Sequence, residues 1–158
     1  MDPLDTGATY WVNISERALE VCNSSPTWVD WPDIFICSAD TLRYSHSAID
    51  ADGDSLVYSL CTPSAGLDRD NNIWINPPDR LQIPEVVWGQ DFNVNNMFGG
   101  GDPLVVDPQT GDLFAVPPPI ESQFLIGVCV EEYRDGDCLL YTSPSPRDLS
   151  TSRMPSSA

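Results

Sequence analysis

The sequence predicts an all-β protein built as an antiparallel β-sandwich. Short runs of β-branched and aromatic residues recur about every ten residues, as in sandwich domains. Fifteen Pro and ten Gly are spread along the chain and separate these runs. No amphipathic helix pattern exceeds two turns. At 158 residues and 41% hydrophobic content, the chain has room for one domain with a real core.

Residues 1–21 are expected to be the remnant of a preceding domain or a linker. Tyr10–Val12 is a candidate last strand of that unit. Asn13, with Glu16 three residues later, is instead a candidate cap for a short helix that runs through Leu19. Both alternatives remain open from the residues alone.

The β pattern begins at Cys22. Thr27–Val29 and Ile34–Ile36 are short β-prone runs, and Pro32 between them confines the pair to an edge or a kinked strand. The next predicted strand covers Leu42–Ile49. It contains His46, the single histidine of the chain. Because His46 lies within a predicted strand, a packed side chain is favoured over a general base.

An acidic loop leads into the following strand. Its carboxylates are those of Asp50, Asp52 and Asp54, which alternate with Ala51 and Gly53. Residues 55–60 then alternate polar and apolar, as a half-buried strand does. Oxygen-rich loops suit hard cations such as Ca²⁺. An EF-hand is excluded, because its loop needs Gly at the sixth position and Glu at the twelfth, and these positions here are Ser55 and Cys61.

The second half contains a hairpin and a long strand. Residues 64–84 are a long polar connection, and Val86–Trp88 is a short predicted strand. The turn from Asp107 to Asp112 has Pro second and Gly late, which predicts a type I turn closed by a left-handed residue. Gln123–Glu132 is the longest β run and is expected to be a central strand. The predicted core consists of Leu42, Tyr44, Leu56, Tyr58, Leu60, Val105, Leu113, Phe124, Ile126, Val128 and Val130.

The charge balance restricts the partners. The formal net charge is −17, from 24 acidic and 7 basic residues, which disfavours nucleic acids and anionic membrane surfaces. No apolar run is long enough to span a bilayer. The first residues have neither a basic nor an apolar signal region, so an exported protein is expected here only as an internal fragment. We expect an extracellular or cell-surface location.

The five cysteines are spaced singly, without a C-x-x-C pair, which favours disulfides over zinc or redox motifs. Cys61 ends one strand and Cys129 lies within the long strand, and such strands neighbour each other in Greek-key sandwiches. We therefore predict a Cys61–Cys129 disulfide and a second one between Cys22 and Cys37 in an oxidising compartment.

Three motifs carry a resemblance: DADGDSLVYSLC from residue 50, VVDPQTGDL from residue 105 and QFLIGVCVEEYRDG from residue 123. Together they resemble the cadherin-like or PKD-like repeat domains of large bacterial surface proteins associated with gliding motility. The resemblance covers about residues 22–136. It implies an immunoglobulin/cadherin-like sandwich in which Asp50, Asp52 and Asp54 hold Ca²⁺. With three acidic loops gathered at one pole, Asp107 or Asp135 is expected to complete the site.

The C-terminus departs from that family, whose domains continue after the EEYR motif into one more strand. Residues 138–158 instead resemble the translation of a sequencing adapter. We expect the native last strand to be missing, the slot beside the long strand to be left unfilled by a native strand, and this tail to be non-native and disordered. The predicted domain is therefore 22–137.

The leading functional prediction is a non-catalytic, calcium-binding structural spacer or adhesion module. Its expected partners are neighbouring domains of the same chain, glycans or other surface proteins. The alternative is a carbohydrate-binding module in which Trp74 and Trp88 stack on sugars. Catalysis is not expected, because Glu131 and Glu132 are neighbours on one strand and point to opposite faces.

Overall fold

The computed structural model describes residues 6–30, 40–68, 85–120, 122–142 and 149–152. Within these ranges the chain forms thirteen strands and one short helix, and every strand pair is antiparallel. The strands of the first half are β1 (Thr6–Thr9), β2 (Val12–Ile14), β3 (Thr27–Trp28), β4 (Leu42–Ser45), β5 (Ala48–Ile49), β6 (Ser55–Leu60) and β7 (Ser64–Asp68). The helix α1 spans Glu16–Glu20. The remaining strands are β8 (Asp102–Val106), β9 (Asp112–Val116), β10 (Ser122–Leu125), β11 (Val128–Arg134), β12 (Asp137–Thr142) and β13 (Leu149–Ser152). The all-β prediction is confirmed.

Two sheets contain most of the pairing. The larger has the order β2-β12-β11-β6 and the smaller the order β4-β9-β8. Three further pairs, β1-β7, β3-β5 and β10-β13, are two-stranded. Side chains from both larger sheets meet in one core, where Tyr58, Val128 and Val130 pack with Leu113 and Leu104. The buried Met97 and Phe98 join this core from the loop that precedes β8.

The predicted core is right except at one position. Val105 is 54% exposed, whereas its neighbour Leu104 is 3% exposed. Val106 lies opposite the buried Leu113, and Val105 lies opposite Phe114, which is itself exposed. Because side chains alternate along a strand, this register turns Val105 outward and its neighbour Leu104 inward.

The hairpin turn between β8 and β9 has the predicted form. The Asp107 and Asp112 backbones are hydrogen-bonded, and Gly111 has a φ of 75°. A Cβ at Gly111 would lie 2.9 Å from the carbonyl oxygen of His46. Glycine is therefore required by both the backbone conformation and the close approach.

Three predicted strands differ in extent. The run Leu42–Ile49 divides into β4 and β5, which belong to different sheets. The long run divides into β10 and β11, with Ile126 and Gly127 between them. At both breaks the backbone turns to another partner: the His46 N–H donates to Gly111, and Gly127 accepts from the Cys61 N–H. Residues 86–88 form no strand, although the preceding residue, Glu85, makes an isolated bridge with Ser64. The predicted strand Ile34–Ile36 lies outside the described residues.

The slot beside the long strand is filled by β12, whose residues from Cys138 onward belong to the tail predicted to be non-native, so the absence of a native last strand stays a prediction. Strand β11 is paired with β6 on one side and with β12 on the other. The hairpin from β11 to β12 turns through Asp135 and Gly136, whose φ values of 55° and 90° match a type I′ turn. The Asp-Gly dipeptide between two strands is the sequence signal for this hairpin.

Part of the tail is ordered as strand. Residues 137–142 form β12 and residues 149–152 form β13, so the predicted disorder of 138–158 does not describe these segments. Leu139 and Leu140 are both buried, because the register of β12 against β11 shifts beside Glu132 and lets consecutive side chains turn inward. The origin of the tail and the domain limits stay predictions.

The N-terminal residues join the main sheet. Strand β2 pairs with β12, and Ser15 caps α1 by accepting from the Ala18 N–H at 3.1 Å. Thus a strand and a helix both form, and the N-cap is Ser15 rather than Asn13. The helix ends in a Schellman motif: the Asn23 N–H donates to the Ala18 carbonyl, with Cys22 left-handed at φ 54°.

Cys61 and Cys129 form the predicted disulfide, with a Cα–Cα distance of 5.8 Å. The pairing of β6 with β11 brings the two residues together, since Leu60 lies opposite Val128. The second predicted bridge is not formed, because Cys22 is a free, exposed thiol. Its expected partner, Cys37, lies outside the described residues.

Candidate metal centre

The acidic loop between β5 and β6 is folded around one carboxylate. Oδ1 of Asp50 accepts the backbone N–H groups of Asp52 and Asp54, both at 2.9 Å. Gly53 has a φ of 82°, which lets the chain reverse between these two residues. The loop therefore holds Asp50 and Asp54 in fixed positions at the start of β6.

Strand β11 brings two charged side chains to the same place. Glu132 lies opposite Leu56, and Tyr133 lies opposite Ser55 at the first residue of β6. Because side chains alternate along a strand, Glu132 and Arg134 share the face of Val128 and Val130, which pack in the core. Glu132 is 0% exposed, so a carboxyl group stands at the end of the apolar interior.

Three carboxylates converge there. One oxygen from each of Asp50, Asp54 and Glu132 lies within 4.8 Å of the other two. Two oxygens in this group, Oδ2 of Asp50 and Oε2 of Glu132, are buried and have no hydrogen-bond donor. Buried acceptors without a donor are costly, so the arrangement favours a cation or a shared proton between these oxygens. We call Asp50, Asp54 and Glu132 the carboxylate cluster.

Arg134 neutralises part of this charge. Its Nε and Nη2 donate to the two carboxylate oxygens of Asp54, each at 2.6 Å. Nη2 also donates to Oδ1 of Asn23 at 2.9 Å and lies 3.4 Å from Oδ2 of Asp52. The side chain of Asp54 is only 3% exposed. Such a bidentate arginine–carboxylate pair is among the stronger kinds of hydrogen-bonded contact in proteins.

The N-terminal segment closes the other side of the cluster. Nδ2 of Asn23 donates to Oε1 of Glu132, and the Ser24 N–H donates to Oδ2 of Asp52 at 2.7 Å. The Schellman motif that ends α1 delivers Asn23 to this position. Residues far apart in sequence, from the N-terminal segment, the acidic loop and β11, therefore form one hydrogen-bonded network.

The pKa values of the two central carboxyls shift in opposite directions. The hydrogen bonds from Arg134 hold the pKa of Asp54 below its ordinary value, although burial opposes this. Burial raises the pKa of Glu132 to about 7, and the nearby carboxylates of Asp54 and Asp50 add to the rise. Near neutral pH Glu132 is thus poised between a neutral and a charged form.

The predicted metal residues are only partly brought together. Asp50 and Asp54 belong to the cluster, and Asp52 adjoins it through Ser24 and Arg134. Asp135 lies at the exposed turn of the β11–β12 hairpin and is not among the converging carboxylates.

Asp107 is not at the cluster either. Its carboxylate accepts the backbone N–H groups of Gln109 and Thr110, and these bonds lower its pKa. The turn packs against the middle of β6, where Pro108 accepts from the Tyr58 N–H. Asp107 therefore stabilises its own turn and is not among the converging carboxylates.

Glu132 is the one member of the carboxylate cluster that is not among the metal residues predicted from the sequence. In the run from Val128 to Arg134, Glu132 occupies a position of the inward-facing alternation. A carboxyl group in that phase, next to an acidic loop on the paired strand, is the signal that points to it.

The aromatic residues of the carbohydrate alternative are placed differently from that prediction. Trp88 packs partly buried against the core, and Trp74 lies outside the described residues. Trp28 lines a cavity of about 220 Å³ together with Val12, Val130 and Leu140. Its polar groups are few, and the Thr142 hydroxyl there already bonds the Val130 backbone. Sugar binding stays a prediction that no contact of the described residues favours.

No protein family, curated protein or solved structure matches this chain. Among the described residues, no helix is long and apolar enough to cross a membrane.

Proposed function

We propose that this chain is a non-catalytic β-sandwich module of the cadherin-like or PKD-like type that is stabilised by one Ca²⁺ ion. The observation that carries the proposal is the buried Oε2 of Glu132, which has no hydrogen-bond donor beside an equally donorless Oδ2 of Asp50. Acidic loops alone are common. A fully buried carboxyl group directed into such a loop is not, and an ion would satisfy both oxygens.

The charge of the site supports a single divalent ion. Four carboxylates, those of Asp50, Asp52, Asp54 and Glu132, face the one guanidinium of Arg134. With all groups ionised, a surplus of three negative charges remains, and one Ca²⁺ reduces it to one. Asn23 and water would supply the further oxygens of the six to eight that Ca²⁺ takes.

The remaining features fit an exported spacer or adhesion unit. The Cys61–Cys129 disulfide suits an oxidising environment outside the cytoplasm. The acidic balance suits surroundings where divalent cations are plentiful. Neighbouring domains of the same chain are the proposed partners, since the N-terminal segment is tied directly to the cluster.

Unfolding with and without calcium tests the proposal. Calcium chloride at a hundredfold excess over Kd should raise the free energy of unfolding by about 2.7 kcal/mol relative to EDTA. Magnesium chloride should have less effect, since Mg²⁺ demands a stricter octahedral geometry. The double variant Asp50→Asn with Glu132→Gln should abolish the shift, and Asp107→Asn is the matched control that should keep it. Equal midpoints in calcium and EDTA for the unaltered chain would reject a calcium function.

A further inference from the structure

Arg134 divides the site into two halves. In one half its guanidinium holds both oxygens of Asp54 and reaches Asn23. In the other half lie the two donorless oxygens of Glu132 and Asp50, which no Arg134 nitrogen contacts. Asp54 belongs to both halves, because one of its oxygens also lies within 4.8 Å of the Asp50 and Glu132 oxygens.

In this arrangement the guanidinium of Arg134 and a metal ion would compete for the carboxylate of Asp54. A carboxylate oxygen has more than one acceptor site, so Asp54 can contact both cations. The two cations nevertheless repel each other across it, and a bidentate arginine pair fixes the carboxylate in an orientation that suits the arginine.

We propose that Arg134 sets the calcium affinity of the carboxylate cluster by competing with the ion for Asp54. The inference rests on the calcium site proposed above. In the calcium-free protein Arg134 supplies the positive charge that keeps the loop and β11 together, and it weakens the binding of the divalent ion in return. The site is thereby built for the high calcium concentrations outside cells and not for trace calcium.

The size of the effect follows from simple electrostatics. A unit charge about 6 Å from a divalent ion, even in water-like surroundings, costs enough to weaken binding about tenfold. Removing the charge of Arg134 should therefore lower the calcium Kd by about tenfold or more. A residue with a merely structural role would do the opposite, since losing it would loosen the site.

Calorimetric titration of the full chain with calcium chloride at pH 7.5 tests this inference. Arg134→Gln should bind calcium about tenfold more tightly than the unaltered protein. Arg43→Gln is the matched control, because Arg43, on β4, lies over the Phe114 ring of β9 and makes no ion pair among the described residues. It changes the net charge equally and should leave the Kd unchanged.

A second variant covers the case in which Arg134→Gln does not fold without calcium. Arg134→Lys keeps the charge but cannot hold both oxygens of Asp54, so its Kd should lie between those of the other two proteins. Unchanged or weaker calcium binding by whichever Arg134 variants fold would overturn the inference.

The outcomes separate the two proposals. Calcium binding by the unaltered chain without tighter binding by the Arg134 variants rejects only the role of Arg134. The absence of calcium binding in every protein rejects the calcium site itself. Binding by Arg134→Gln alone would support the competition and reject calcium as the natural occupant.

Discussion

Replacing Glu132 by glutamine should remove a pH-dependent loss of stability in calcium-free buffer. Glu132 is fully buried, and its pKa rises from an ordinary value of 4.5 to about 7 in the fold. A raised pKa means that the fold prefers the neutral carboxyl. The favourable contribution is complete below about pH 4.5 and is lost as the pH rises through 7.

The magnitude follows from the shift. Each pKa unit corresponds to about 1.4 kcal/mol, so ionising Glu132 in the folded protein should cost about 3 kcal/mol by pH 8. Glutamine cannot ionise. Its Oε1 can still accept from Asn23 Nδ2, and its amide can donate to the acceptors left without a donor in Asp50. In EDTA at pH 8, Glu132→Gln should therefore be more stable than the unaltered chain by up to about 3 kcal/mol. At pH 5 the two should be nearly equal.

Urea unfolding in EDTA at pH 5, 6.5 and 8 measures this difference. Glu131→Gln is the matched control: Glu131 is the adjacent residue on the opposite face of β11 and accepts the Tyr133 hydroxyl at 2.8 Å. It should keep the pH dependence of the unaltered protein. Asp54 does not contribute to the change in stability over this pH range, because its lowered pKa places its own titration at more acidic pH. If the stability of the unaltered protein does not fall between pH 5 and 8, or falls equally in Glu132→Gln, ionisation of Glu132 is not the cause of the pH dependence.

Two further predictions concern the covalent and backbone constraints. Reducing the Cys61–Cys129 bridge, or replacing both residues by alanine, should lower the free energy of unfolding by about 4 kcal/mol, because the bridge closes a loop of 68 residues. Calorimetry with and without reductant measures this loss of stability. An unchanged unfolding midpoint would contradict the prediction. Cys22→Gly should stabilise the chain by about 1 kcal/mol by relieving the left-handed backbone at φ 54°, whereas Cys22→Ala should not. Equal midpoints for the two Cys22 variants would show that this backbone position is not strained.

Features that depend on local chemistry can be predicted from the sequence alone. Spacing of β-prone runs between Pro and Gly was enough for the all-β class. The Asp107–Asp112 turn followed from its own residues, because Asp at the start and Gly in a left-handed position specify it without outside contacts. The alternation of residues 55–60 located β6, and the order of the strands suggested the Cys61–Cys129 bridge.

Which charged groups meet depends on contacts between segments that are distant in sequence. Asp107 and Glu132 are both acidic residues in or beside strands, yet Asp107 binds its own turn while Glu132 is buried next to Asp50. That difference depends on the pairing of β11 with β6 and on a helix end that delivers Asn23, neither of which has a local signature. The bulge that buries Leu139 is equally non-local, since a one-residue slip costs little in the strand and is settled by packing across the sheet.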